Sequence, residues 1–91
     1  MSVTVVFDVP GMTPQQYDRV MQDLEAAGHV APAGRMHHIA SQTDNGWHVV
    51  DVWESEEKLG KFAEVLMPTL AKAGVQPPQP KVLRTHNIVN G

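Results

Sequence analysis

The sequence predicts one α+β domain with its elements in the order β-α-β-β-α-β: a four-stranded antiparallel sheet carrying both helices on one face. Three observations predict it. Two helix starts are marked by capping residues, at Thr13 and at Ser55. Between the two helices lie strand-like runs joined through Asp44-Asn45-Gly46. The chain is 91 residues long, enough to bury a single core and no more.

The first strand is read over Ser2 to Val9, where Val3, Val5, Phe7 and Val9 alternate with Thr4, Val6 and Asp8. Pro10-Gly11 ends it. Thr13 then stands at an N-cap, with Pro14 at N1 and Gln16 at N3, the residues of a capping box. Tyr17, Val20, Met21 and Leu24 recur at helical spacing as one buried stripe, and Gly28 is placed to stop the helix. The second strand is expected over Arg35 to Ala40, where alternation puts His38 on one face with Met36 and Ala40. Asp44-Asn45-Gly46 suits a turn with positive φ. The third strand, Trp47 to Trp53, shows Trp47, Val49, Asp51 and Trp53 to one side and His48, Val50 and Val52 to the other. Ser55 caps a second helix with Glu56 and Glu57 in its first turn and a stripe of Leu59, Phe62 and Leu66. Pro68 is expected to end that helix and to begin a short new one running to Ala73. A linker, Gln76-Pro77-Pro78-Gln79-Pro80, leads to a last strand over Lys81 to Asn87.

Composition excludes several classes. There is no cysteine, hence no disulfide, thiolate nucleophile or Cys-type metal site. The net charge is -3 with histidine neutral, and the basic residues are scattered, so the electrostatic footprint of a nucleic-acid binder is missing. No apolar run approaches the roughly 20 residues of a membrane span. Met1 to Val5 lacks the basic and apolar pattern of a signal peptide, and a cytoplasmic location is expected.

The first and third strands are apolar on both faces and belong in the centre of the sheet, as in a ferredoxin-like split β-α-β layout. Two helices cover one face only. The other keeps Val and Trp side chains that a second copy of the chain would cover, so a homodimer paired through its sheet faces is expected.

The run Trp47-His48-Val49-Val50-Asp51-Val52-Trp53-Glu54-Ser55, passing from strand into a Ser-capped helix, resembles the dimeric α+β barrel superfamily. More narrowly it is similar to the antibiotic-biosynthesis-monooxygenase-like small domains, as are the Pro10-Gly11-Met12-Thr13 opening and the His86-Asn87 ending. The resemblance covers nearly the whole chain. It implies a ligand pocket in each subunit, between sheet and helices. Quinol-oxidising members resemble this chain in the Val-Trp-Glu strand end, and many also carry a histidine in the second helix. Here that helix reads Leu59-Gly60-Lys61-Phe62-Ala63-Glu64-Val65, without one.

Among five histidines, His38 and His86 are the candidates for acid–base work, oriented by Asp51, because imidazole titrates near neutrality. An acid between Val50 and Val52 is costly unless paired, and Arg35 and Arg84 are its structural alternatives. Tyr17, Met21, Trp53 and Phe62 are the expected substrate-binding residues. No His-Glu-x-x-His spacing supports a metal, and no flavin or nucleotide motif is present, so neither metal nor cofactor is expected. The resemblance implies a cofactor-free, monooxygenase-like enzyme acting on a small aromatic or polyketide-like substrate. The alternatives are an isomerase or cyclase using the same groups, and a non-catalytic dimeric module that binds a small apolar molecule.

Overall fold

The computed structural model describes Met1–Gly91. Its elements are β1 (Val3–Pro10), α1 (Pro14–Ala26), β2 (Arg35–Thr43), β3 (Gly46–Trp53), α2 (Glu56–Lys72) and β4 (Lys81–Arg84). The strands form one sheet in the order β2-β3-β1-β4, with every neighbouring pair antiparallel. This is the ferredoxin-like α+β arrangement. The strands that are apolar on both faces, β1 and β3, lie inside, and the more polar β2 and β4 form the edges.

The helix caps form as their residues dictate. The Thr13 hydroxyl accepts from the Gln16 N–H at 3.1 Å, and the Gln16 side chain accepts from the Thr13 N–H at 3.0 Å. At the far end of α1, Gly28 takes φ +81°, and the His29 N–H turns back to the Leu24 carbonyl at 2.7 Å. Ser55 caps α2 through the Lys58 N–H.

The buried core lies between the sheet and the helices. It joins Val3, Val5 and Val9 of β1 and Trp47, Val49 and Trp53 of β3 to Val20 and Leu24 of α1 and Phe62 and Leu70 of α2. The opposite face carries Thr4 and Val6, Val50 and Val52, and the exposed Ile39 and Leu83, with no element packed over most of it. The tryptophans expected there are absent from it, because Trp47 and Trp53 alternate with Val49 and Asp51 on the helix side and are buried in the core.

Three boundaries and one register differ from expectation, each for a physical reason. The second helix continues through Pro68. Pro68 and the residue four before it, Glu64, are both exposed, so the carbonyl that proline leaves unpaired faces water. Phe62 and Leu70 are buried on either side of the proline and hold both segments to the sheet, while the Thr69 hydroxyl bonds the Val65 carbonyl at 2.9 Å. The last strand ends at Arg84, because β1 begins at Val3. After the Thr85 N–H reaches the Ser2 carbonyl, no strand is left to pair with. The second strand runs on to Thr43, pairing with β3 up to the turn. It also contains a β-bulge: Arg35 pairs with Trp53 and His37 with Val52, which leaves Met36 extra and unpaired.

The turn itself uses no positive φ. Thr43 pairs with Gly46, and neither Asp44, Asn45 nor Gly46 adopts a left-handed conformation. Gly46 serves close approach instead. A Cβ there would lie 2.3 Å from the Val9 carbonyl oxygen and 2.9 Å from the Pro10 Cα, beside the Gly11 N–H bond to Asn45. Gly46→Ala is therefore expected to destabilise the fold by about 1–3 kcal/mol, the usual cost of forcing a methyl group into packed backbone. Urea unfolding checks it, and a midpoint at or above that of the parent chain would show that the β1–β3 pairing yields freely.

Candidate functional site

Strand register brings the central side chains together. His38 of β2 stands opposite Asp51 of β3, which stands opposite Val5 of β1, all facing the helices. Asp51 is 5 % exposed, on a central strand. Burying a carboxylate there is costly unless it is paired. Its Oδ1 lies 2.5 Å from His38 Nδ1, a short charge-assisted contact that offsets the cost. Neither Arg35 nor Arg84, the alternatives read from sequence, pairs with Asp51.

Because a carboxylate only accepts, His38 Nδ1 carries the hydrogen, and Nε2 is left as an acceptor in neutral imidazole. Tyr17 fills that place. Its hydroxyl lies 2.9 Å from Nε2 and donates to it. The chain Tyr17 O–H, His38, Asp51 is thus polarised in one direction, and the phenol is its outer end. The Tyr17 ring is held by Trp47, stacked on it with centroids 4.9 Å apart.

The relay lies on the wall of an apolar hollow of about 50 Å³ whose lining includes Phe7, Met21, Val49, Phe62 and Leu66, with Arg35 as its one cation. A second hollow, about 230 Å³, lies beside it between α2 and the Pro78–Pro80 linker. Phe7, Asp51, Phe62 and Leu66 belong to both walls.

Of the residues expected at the site, the structure brings together His38, Asp51, Tyr17, Met21 and Phe62. His86 is not among them: it is exposed on the segment beyond β4, away from the hollow. Trp53 is also absent from the lining. It is fully buried, its ring tilted against Phe62 at 5.3 Å, and it acts as packing beneath the site. Sequence reading placed Arg35 only as a structural partner for Asp51 and missed it as a residue of the site. Regular alternation turns that residue away from His38, and only the bulge at Met36 returns it to the same side. No group of three or more His, Asp or Glu side chains lies close enough to hold a metal ion. No helix is long and apolar enough to cross a membrane.

No protein-family model matches the chain, and no curated protein matches its sequence. Solved structures do match its shape. SnoaB, a cofactor-independent oxygenase from Streptomyces nogalater, superposes with a TM-score of 0.66 at 14% identity, covering 99% of this chain and 97% of that one. Rv0793 from Mycobacterium tuberculosis gives 0.67 at 17% identity over 99% and 100% of the two chains. A Caulobacter crescentus protein, provisionally named an antibiotic biosynthesis monooxygenase, gives 0.68 at 14% identity over 94% and 91%. The chain has the fold of the antibiotic-biosynthesis-monooxygenase-like (ABM-like) small domains. At these identities the likeness is one of architecture, and a shared fold does not by itself carry a shared chemistry. The site must be read from its own side chains.

Tyr17 offers a direct reading. Burial pushes its hydroxyl above the ordinary value of about 10, the nearby Arg35 charge pulls it down, and Asp51 and Asp18 add to the rise. It is the sole tyrosine, so tyrosinate absorbance reports on it alone. Its titration midpoint is expected above 10, and higher again in Arg35→Gln. The sign for stability follows. Above pH about 10 the unfolded chain loses its phenolic proton first, so this contribution is intact below that pH and is lost as pH rises through the folded midpoint. A midpoint at or below 10 would mean that the ring is not buried as described.

Proposed function

We propose that the chain is a cofactor-independent, monooxygenase-like enzyme that works as a homodimer and oxidises a small, electron-rich aromatic bearing an acidic hydroxyl. The observation that carries this reading is the Tyr17–His38–Asp51 relay on the wall of an apolar hollow. The ABM-like fold, shared with an oxygenase that needs no cofactor, supports it.

Both ring nitrogens of His38 are engaged, so a substrate meets the relay at Tyr17. A substrate hydroxyl gives its proton to the Tyr17 oxygen as the tyrosine proton passes to His38 Nε2. The imidazolium formed is stabilised by Asp51. The resulting phenolate or enolate is electron-rich enough to react with dioxygen. For a phenol with a free para position, one oxygen atom ends on that carbon. The other leaves as water with the hydrogens of the C–H and O–H bonds, giving the quinone. Dioxygen is the oxidant, and no other reductant or cofactor enters the balance.

Oxygen uptake with naphthol-type phenols tests this. Tyr17→Phe and His38→Gln are each expected to lower the rate by about 10²-fold or more, the usual share of a general base. Unchanged rates in both variants would remove the relay from the chemistry. The second reading, a non-catalytic module that binds a small apolar molecule, draws on the apolar lining alone, and the size of the hollow constrains both readings. About 50 Å³ is well below the roughly 300 Å³ at which drug-sized ligand sites begin. A multi-ring ligand must therefore also enter the adjoining 230 Å³ hollow, displacing Leu66 or Phe62. Ligand binding without oxygen uptake identifies the module.

The homodimer reading rests on the open sheet face. Val6, Val50 and Val52 are only half-buried there, and Ile39 is 58 % exposed. Residues 87–91 lie along one end of this face, sharing a hollow with Thr4, His37, Ile39 and Val52. Sedimentation velocity is expected to give a dimer for the parent chain and a monomer for Val50→Lys. A parent chain that is monomeric at micromolar concentration would rule the pairing out.

A further inference from the structure

Arg35 is the cation of an otherwise acid-poor, apolar site, and no carboxylate answers it. The ion pairs of the protein involve Arg19, His38, His48, Lys58 and Lys61, each with an acidic residue nearby. Arg35 belongs to none of them. Asp51, the acid on the same wall, is engaged by His38 at 2.5 Å. One guanidinium nitrogen of Arg35 donates to the Val30 carbonyl at 2.8 Å, and its carbon lies 5.8 Å from the centre of the Phe62 ring, itself a wall of the hollow. A guanidinium has five N–H donors, so most remain available.

The placement is built rather than incidental. On a regular strand Arg35 faces away from His38. The unpaired Met36 puts both on the helix side, where both line the hollow with Tyr17. Arg35 is half-buried against these apolar walls and its bond to Val30 is exposed, so water meets its remaining donors. A ligand oxyanion replaces that water with hydrogen bonds that are strong and directional. Phe62, carrying the cation on its face, also offers an aromatic surface to a ring attached to that anion.

We propose that Arg35 is the anion-binding residue of this site, and that the ligand is a planar aromatic carrying an ionised oxygen, either a carboxylate or an acidic enol, seated against Arg35 with its ring beside Phe62. The proposal rests on this hollow being the ligand site, not on catalysis. It goes beyond the oxidation reading in requiring a charged ligand. Tyr17, the outer end of the relay, then meets a second oxygen of a ligand already fixed by Arg35.

The test measures binding alone, by calorimetry, with charge-matched probes. 2-Naphthoate is compared with the neutral isostere 2-naphthamide, and 2-hydroxy-1,4-naphthoquinone, ionised at neutral pH, with its methyl ether. The parent chain is expected to prefer an anion over its neutral partner by at least about tenfold, the worth of one charge-assisted hydrogen bond. Arg35→Gln is expected to abolish the preference and Arg35→Lys to keep part of it. The anion showing the larger preference tells which oxygen acid the site takes. Equal binding of charged and neutral probes, no binding of any probe, or a preference that survives Arg35→Gln overturns the proposal. If Arg35→Gln does not fold, the side-chain Nε–H resonance of Arg35 in the parent chain decides: it is expected to shift with naphthoate and to stay still with naphthamide, and a still resonance with both overturns the proposal. Because no turnover is read, absence of oxygen uptake leaves the proposal standing, and its failure leaves the proton relay standing.

Discussion

A single buried carboxylate governs how this protein is arranged. Asp51 sits on the helix side of a central strand, where an unpaired charge would cost several kcal/mol. Its partner must come from the adjacent edge strand, at the register that sets His38 opposite it. That register in turn presents His38 Nε2 to the first helix, where Tyr17 completes the hydrogen bonding. Tyr17 is positioned by its place on the buried stripe of α1 and by the indole of Trp47. Strand pairing, helix packing and proton geometry are therefore one constraint seen at three scales. A slip of β2 by one residue would turn His38 to the open face and leave the acid alone.

Much of this was legible in the residues. The alternation of β1 and β3, the Thr13 and Ser55 caps and the stop at Gly28 determine the order and handling of the elements, because each acts over a few neighbours. Asp51 and His38 were legible as candidates for the same reason, since each is a polar group on a face that the pattern marks as buried. What was not legible depends on pairing between distant segments. Alternation groups Met36 with His38, and only the match of β2 against β3 reveals the extra residue. The reach of β4 depends on where β1 begins, which is why His86 falls outside the pairing and away from the hollow. The continuity of α2 through Pro68 depends on which side of the helix faces water. Gly46 invited a reading in terms of φ, but the structure needs it for the space beside Val9.

The two faces of the sheet divide the labour. The helix face holds the core, the relay and the hollow. The other face is formed by the alternate residues of the same strands and is left with valines and isoleucine at its surface. One strand sequence thus has to satisfy two unrelated requirements at a period of two. This explains why β1 and β3 read as nearly continuous apolar runs while the edge strands do not.

The bulge at Met36 also sets how much the length of β2 can vary. Along β2 every residue from His37 to Thr43 is matched one to one with β3, so loss of a single codon there would invert the facing of one end of the strand relative to the other. Met36 is matched to nothing. Its codon can be deleted in frame while Arg35 still falls opposite Trp53 and His38 opposite Asp51. The pairing of β2 with β3 therefore tolerates the loss of a residue at Met36 without turning the site residues to the other face.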